Sequence, residues 1–337
     1  MNLVTGATGL VGAHVALELL QKGKSVTATK RSQSDIKKVR QVFSYYTANY
    51  DELFSRIKWI DADINDIYSI IDALEGIETV YHCAGFVSFN NKDYEQMHKI
   101  NTEGTANVVN ACLEKGNVAL CYVSSIATIS NPDITKNIDE SVYWKSSPSA
   151  SVYAITKYNG EREVWRGIEE GLNAVIVNPG IILGPGFWNQ SSGKLFRVCY
   201  KGLPFYTSGA SSYIDVRDVA LCMIKCIDEK LFNQRYILIE NNYSFKEIFD
   251  EMLTQFGNKK TFIKANKWML NLGRLGSYIS SLITGKEQLI TKETVIASFE
   301  KNTFSNAKIK QVTKHQFINA KDSIQFNCAI YLNDLKK

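Results

Sequence analysis

Along the first half of the chain, short apolar runs alternate with longer stretches whose apolar residues recur every three to four positions. The runs at Asn2–Thr5, Ser25–Thr29, Lys58–Asp61, Thr79–Cys83, Ala119–Ser124 and Asn173–Asn178 read as strands. Helical periodicity covers Ala13–Lys22, Ile67–Leu74, Tyr94–Lys115 and Ser151–Glu170. Strand–helix alternation predicts a parallel sheet covered on both faces, because parallel neighbours need a crossover and a helix supplies it. After Pro179 the rhythm gives way to turns such as Gly184-Pro185-Gly186, Ser191-Ser192-Gly193 and Ser208-Gly209. Residues 179–337 therefore read as a second lobe interleaved with the sheet domain at 1–178, with segments near 212–240 returning to the sheet. Within that lobe, Ile263 to Ile283 carries Trp268, Met269, Leu272, Leu275, Ile279 and Leu282, with Lys264, Lys267 and Arg274 among them. Such a helix could lie in a membrane interface. The reading adopted is a helix packed on the second lobe.

Composition narrows the classes. The 337 residues suffice for a large core, and 45% apolar with 22% charged residues is ordinary for a globular chain. A net charge of +5 without a dense Lys/Arg run interleaved with aromatics gives no nucleic-acid footprint. No apolar run is long enough to span a bilayer, and Met1 leads straight into the first strand, so a cytoplasmic protein is expected. The seven scattered cysteines read as reduced core thiols. Cys222 and Cys226 share a helix face but have no neighbouring His or Cys, so no metal is expected.

Chemistry concentrates in three places. Gly6, Gly9 and Gly12 punctuate the passage from the first strand into the first helix. Such a turn brings backbone close to a pyrophosphate and aims helix amides at it. The spacing, Gly-x-x-Gly-x-x-Gly, is one residue wider than the usual dinucleotide fingerprint, and a bare structural turn would look the same. Tyr153 and Lys157, four apart, share one face of a helix. The ammonium favours tyrosinate, but lowering a tyrosine from about 10 to about 7 takes roughly 4 kcal/mol. One screened lysine falls short of that, and an oxidised nicotinamide would be a suitable second positive group. Read alone, the pair also fits the surface of an amphipathic helix. Ser124 and Ser125 close a strand, where open α/β sheets bind ligands and a serine can hold a carbonyl while tyrosine moves a proton.

In this order the three features resemble the extended short-chain dehydrogenase/reductase superfamily, with the nearest likeness to its dihydroflavonol 4-reductase-like and 3β-hydroxysteroid dehydrogenase-like branch. The resemblance runs along nearly the whole chain. It implies an α/β, Rossmann-type doubly wound parallel sheet with a smaller C-terminal substrate-binding lobe. It makes Tyr153 the acid/base, Lys157 the group that holds the nicotinamide ribose and lowers the tyrosine pKa, and Ser125 the partner of the carbonyl, with Ser124 its substitute. Cofactor contacts would come from Gly6, Thr8, Gly9, Leu10, Val11 and Gly12 around the phosphates. Asp63 would meet the adenine amine and Ile64 would line its pocket. Cys83, Ala84 and Gly85 would pass the ribose, with His82 structural. Asn101, Ser124 and the turn Pro179-Gly180 after Asn178 would complete the site, and Phe304–Lys308 looks like the final segment of the substrate lobe. The family also forms homodimers through the helices that carry Asn101 and Tyr153.

Cofactor choice follows from charge. The second strand runs into Lys30-Arg31 with no acid before Asp35, and Lys37 and Lys38 follow. An acid there would bind the ribose hydroxyls of NAD, whereas the planar fork of Arg31 suits a 2′-phosphate. Arg31 and Lys38 match cationic positions of the reductase branch, so NADP(H) is expected over NAD(H), although a solvated basic helix start would look similar. The expected activity is NADP(H)-dependent reduction of a ketone or aldehyde, or oxidation of the alcohol. Phe86, Phe89, Trp188, Phe196 and Phe205 suggest an apolar or aromatic small-molecule substrate, or are plain core. A nucleotide-sugar epimerase with tightly bound NAD and a non-catalytic NADP-sensing protein are the alternatives. Dehydration fits less well, because Ser125-Ile126-Ala127 stands where dehydratases of the superfamily carry Thr-Asp-Glu.

Overall fold

The computed structural model describes residues 1–147, 150–284, 288 and 290–336, with the side chains of 279–284 left aside. Strands β1 (Asn2–Thr5), β2 (Val26–Lys30), β3 (Ile57–Asp61), β4 (Thr79–His82), β5 (Ala119–Val123) and β6 (Ala174–Pro179) form in the first half. They are followed by β7 (Ile181–Leu183), β8 (Phe205–Tyr206), β9 (Ala210–Asp215), β10 (Gln234–Leu238), β11 (Asn241–Ser244) and β12 (Ile263–Lys264). The helices of the first half are α1 (Leu10–Gln21), α2 (Ile36–Ser44), α3 (Tyr50–Ser55), α4 (Ile67–Ala73), α5 (Tyr94–His98), α6 (Gly104–Lys115) and α7 (Val152–Glu169). Those of the second are α8 (Gly193–Tyr200), α9 (Val216–Asp228), α10 (Phe245–Gln255), α11 (Lys267–Thr284), α12 (Lys292–Ala297), α13 (Ala307–Thr313) and α14 (Ala320–Asp334).

Seven strands build one parallel sheet in the order β10-β6-β5-β4-β1-β2-β3. Apolar side chains leave both faces of it, which is what a sheet of helix crossovers requires. One core joins Val4, Tyr81 and Val175 to α1, α2 and α9; the other joins Leu3, Val80 and Ile176 to α4, α6 and α7. Strand order reverses between β1 and β4, and doubly wound sheets open a ligand crevice at that point. The predicted strands and parallel sheet are present. Helices α2 and α3, absent from the sequence expectation, fill the basic stretch after β2, where the Asp35 carboxylate caps α2 by accepting from Lys37 N at 3.1 Å.

A second, three-stranded sheet, β11-β9-β7, packs with α8, α10 and α14 around Leu183, Phe196, Tyr213, Met252, Ile324 and Tyr331. Two sequence expectations change here. Phe196 is fully buried in this core, which makes it plain core, while Trp188, half-buried, packs edge-on against it and against Tyr331. Of segment 263–283, Ile263–Lys264 are strand β12 and the helix, α11, starts at Lys267; it packs on the neighbouring segment of the lobe through Lys267 over the Phe299 ring, but Trp268, Leu272 and Leu275 of its apolar stripe are 69%, 51% and 56% exposed. Its inner face instead holds Gly273 against Ile290, while the Ser277 hydroxyl accepts Ile290 N at 3.2 Å. The side chains of Ile279 and Leu282, part of the same expectation, lie outside the described residues. Among the described residues no helix is long and apolar enough to cross a membrane.

The single helix expected over Tyr94–Lys115 is interrupted at Lys99–Glu103 by a wider π turn, which carries Asn101. Such turns cluster at functional positions because they re-aim side chains out of the regular ladder. Helix α7 crosses this turn so closely that a Cβ on Gly160 would sit 2.1 Å from the Asn101 carbonyl and 2.8 Å from the Tyr122 hydroxyl. Helix propensity favours alanine over glycine by about 1 kcal/mol, whereas forcing a methyl against backbone costs about 1–3 kcal/mol. The carbonyl cannot swing aside as a side chain would, so the clash wins. Gly160→Ala is therefore expected to lower stability by about 1–2 kcal/mol in chemical denaturation; a stabilised variant would show that α7 and the π turn are not in contact.

Candidate active site

Backbone crowding shapes the phosphate end. Gly6 ends β1 with φ +66°, and a Cβ there would lie 2.5 Å from Ala84 N. A Cβ on Gly12 would lie 2.3 Å from the Gly6 carbonyl, so α1 enters directly over the turn. Gly9 is different, since the chain leaves its Cβ position nearly open, 3.4 Å from its nearest neighbour. Gly9 also caps α1 without any side-chain hydrogen bond, so the first-turn amides that follow, with Thr8 beside them, have no carboxylate or hydroxyl to satisfy them. A helix start with an open approach and uncapped amides fits an anionic group.

Across the switch point the loop after β4 returns to β1 through Cys83 N to Thr5 O (3.2 Å) and Ala84 N to the Thr5 hydroxyl (3.4 Å). Asn101, buried in the π turn, clasps the same loop: Phe86 N donates to its Oδ1 (2.8 Å) and its Nδ2 donates to Phe86 O (2.9 Å). Asn101 thus holds the loop in place, and its Nδ2 also reaches the Thr156 hydroxyl on α7 (3.1 Å). His82 contacts Thr5 Oγ1 at 2.6 Å and Thr105 Oγ1 at 3.1 Å, and burial pulls its pKa to about 3, so it is a neutral strut. Beyond β3, the Asp63 carboxylate accepts from Asn65 N and Nδ2 (3.0 and 2.8 Å), while Ile64 is buried against Gly104.

At the end of β2, Lys30 donates to Asp61 at 2.5 Å, which neutralises that cation. Arg31 and Lys38 are exposed, and neither side chain has a hydrogen bond or ion pair among the described residues. Two unspent cations therefore flank the β2 end of the crevice.

The reacting end is organised by α7, capped where the Ser151 side chain accepts from Ala154 N at 3.1 Å. Tyr153, Lys157 and Glu161 follow one another on a single face, one helical turn apart. Ser125 and Tyr153 are brought together, the serine hydroxyl lying near enough to the phenol to oppose the effect of burial on it. Ser124 points elsewhere, donating to Glu161 Oε2 at 2.6 Å. Lys157 donates to the Val123 carbonyl at 2.7 Å and sits 4.4 Å from the centre of the Tyr122 ring. Its ammonium is also 4.0 Å from where a Cβ on Gly85 would be, so the glycine lets the loop close over it.

The spacing suggested that Lys157 lowers the Tyr153 pKa, and here the structure differs. Burial raises Tyr153 above its ordinary value, and only the nearby Ser125 hydroxyl pulls it down. Lys157 itself is lowered to about 7 by burial, with Glu161 opposing the shift. Desolvation is the largest effect on both groups.

Glu161 is the residue that sequence reasoning missed. Its Oε2 accepts from Ser124 Oγ (2.6 Å), Thr128 Oγ1 (2.6 Å) and Asn178 Nδ2 (2.8 Å). Its Oε1 accepts from Arg235 at 3.2 Å and from Trp165 Nε1 at 3.3 Å. Arg235 continues to the carbonyls of Glu140 (2.8 Å) and Val142 (2.7 Å). A carboxylate one turn past Lys157 on a buried face was the available signal. Beside this knot, Gly180 takes up a place where a Cβ would lie 2.5 Å from Ser212 O, and Pro179 ends β6. The C-terminal segment ties in as well: Phe304 bonds Asn242 and bridges Ile138, and Asn306 donates to Ile239 O at 2.7 Å.

A doubly wound parallel sheet with a glycine turn at its switch point and Ser125, Tyr153 and Lys157 near the strand ends is the architecture of the NAD(P)-binding fold. The chain belongs to the NAD dependent epimerase/dehydratase family, whose model matches residues 2–237. It is 30% identical over 252 residues to sterol demethylase protein B of Methylococcus capsulatus, covering 73% of this chain and 72% of that one. It is 28% identical over 250 residues to cinnamoyl-CoA reductase 1 of Petunia hybrida, covering 71% and 72%. Among solved structures, that of gox2253 matches with a TM-score of 0.80 and 28% identity, covering 99% of this chain and 98% of the other.

The lowered Lys157 pKa has a consequence for stability. The unfolded chain keeps this proton up to about pH 10, whereas the folded chain releases it near 7. Between those values the unfolded state binds more protons, so this group makes stability rise with pH. Below pH 7 the cost of burying the ammonium is complete. Relative to Lys157→Met, wild type is expected to gain about 2 kcal/mol in unfolding free energy between pH 6 and pH 9. A flat difference across that range would mean that Glu161 holds the ammonium at its ordinary pKa.

Proposed function

We propose that the protein is an NADP(H)-dependent carbonyl reductase. The observation that carries this reading is the meeting of Ser125 and Tyr153 at the ligand-binding ends of the strands, with Lys157 one turn further along α7 and anchored on the Val123 carbonyl at 2.7 Å. The named activity of the cinnamoyl-CoA reductase relative supports the same class. When bound, the dinucleotide supplies the hydride. Amides at Leu10, Val11 and Gly12 would hold its phosphates, with Gly9, whose own amide donates to Gly6 O at 2.9 Å, leaving them room; Asp63 and Ile64 would hold its adenine, and Cys83–Gly85 and Pro179–Gly180 its central and nicotinamide portions. Arg31 and Lys38 would take the 2′-phosphate, which is the reason for preferring NADP over NAD.

Burial keeps Tyr153 in its protonated form, the form a general acid needs in order to protonate the carbonyl oxygen as the carbon is reduced. Ser125, beside it, orients that oxygen through its hydroxyl. Lys157 places its ammonium beneath the loop at Gly85 and stabilises negative charge as Tyr153 gives up its proton. The substrate side is apolar: Val87 and Phe89 are exposed, and the Phe89 ring centre lies 6.5 Å from that of Tyr153. An apolar or aromatic carbonyl compound fits that surface.

Turnover of a ketone and aldehyde panel with NADPH tests the activity. Tyr153→Phe is expected to lower kcat at least ~100-fold with NADPH binding intact; an unchanged rate would remove Tyr153 from the reaction. Arg31→Ala is expected to weaken NADPH by about 1–2 kcal/mol and to leave NADH nearly unaffected, measured by fluorescence titration. A wild-type preference for NADH would overturn the NADP assignment. NAD that stays bound through purification, with turnover of a nucleotide sugar, would replace the reductase reading with an epimerase.

A further inference from the structure

Helix α11 carries two parallel stripes that the active site does not use. Trp268, Leu272 and Leu275, spaced i, i+4, i+7, form an exposed apolar stripe. Lys267, Asn271 and Arg274 repeat the same spacing one residue earlier and line a cleft shared with Lys292, Phe299 and Glu300 of the neighbouring segment. The helix face that packs against Ile290, at Gly273 and Ser277, lies nearly opposite the apolar stripe at 3.6 residues per turn. The stripe therefore points directly away from the rest of the molecule, with cations along one flank.

Charge selects the occupant. From Met252 to Tyr278 the chain holds Lys259, Lys260, Lys264, Lys267 and Arg274 and no Asp or Glu. A second copy meeting this face symmetrically would bring like charges together. An anionic bilayer surface instead offers apolar depth for the stripe and phosphates for its basic flank. We infer that α11 is an interfacial helix that docks the protein on an anionic lipid surface, with Trp268, Leu272 and Leu275 entering the headgroup–acyl boundary and Lys267 and Arg274 pairing with lipid phosphates. Glu300 is the one carboxylate among the described residues that line this cleft.

Sedimentation of the full chain with vesicles tests this inference. Binding is expected to phosphatidylcholine vesicles containing phosphatidylglycerol, to be weak on phosphatidylcholine alone, and to fall at high salt. The triple variant Trp268→Ser, Leu272→Ser, Leu275→Ser and the double variant Lys267→Glu, Arg274→Glu should each lower partitioning at least ~10-fold. Unchanged circular dichroism and thermal midpoints of both variants would confirm that they are folded. Absence of binding to either vesicle overturns the inference, as does binding indifferent to both sets of substitutions. A drop in solution mass in the triple variant would assign the stripe to a second copy instead. None of these outcomes depends on the carbonyl reductase reading.

Discussion

The Glu161 carboxylate is buried among five donors, and the active site takes its geometry from that arrangement. Ser124 and Thr128 bring in the end of β5 and the turn after it, Asn178 brings in β6, and Arg235 brings in β10. A carboxylate taken out of water loses several kcal/mol of solvation, which these hydrogen bonds and the Arg235 charge offset. Such a pair adds little net stability over a well-packed apolar one, but breaking it costs about 3–5 kcal/mol. Its contribution is therefore to position: only one rotation of α7 places Glu161 in the knot. That same rotation sets Lys157 under the Val123 carbonyl and Tyr153 against Ser125. Through Arg235 the knot also holds the carbonyls of Glu140 and Val142, and with them the loop that follows β5.

Around this polar centre the crevice is made largely of backbone. Gly6 against Ala84, Gly12 against Gly6, and Gly160 against Asn101 are all approaches that a Cβ would block. The first two close the phosphate end, and the third seats α7 on the π turn. Asn101 then transmits the position of α7 to the loop at Phe86 through Thr156. The two ends of the site are thereby linked by one run of short contacts, without a flexible side chain between them.

Much of this was legible in the sequence, for physical reasons that differ between residues. Apolar runs bounded by glycine and polar residues marked six strands of the parallel sheet, since a strand buried on both faces tolerates little else. Tyr153, Lys157 and Ser125 converge where strand-end reasoning puts them. Glu161 was visible as the next residue of the same helical stripe, but Arg235, which makes its burial affordable, lies 74 residues away and only the fold brings it near. The π turn was not legible, because α5 puts only 5 residues ahead of it, too few to reveal the phase shift of about 100° that one inserted residue causes. Trp188 and Phe196 show the opposite limit: aromatic content alone does not separate a core from a pocket. On α11 the periodicity correctly marked an amphipathic helix, yet spacing carries no information about what its apolar stripe faces.

The proton affinities of the site follow from the same burial. Tyr153 is held in its protonated form and Lys157 is lowered to about 7, so the enclosed site disfavours charge on either group. Glu161 partly restores the ammonium from one turn away, and nothing comparable acts on the tyrosine. Any positive charge arriving beside the pair would lower both pKa values, and Tyr153 has the more distance to fall before it ionises. The enclosed site thus keeps Tyr153 protonated and leaves Lys157 as the member of the pair whose charge changes nearest neutral pH.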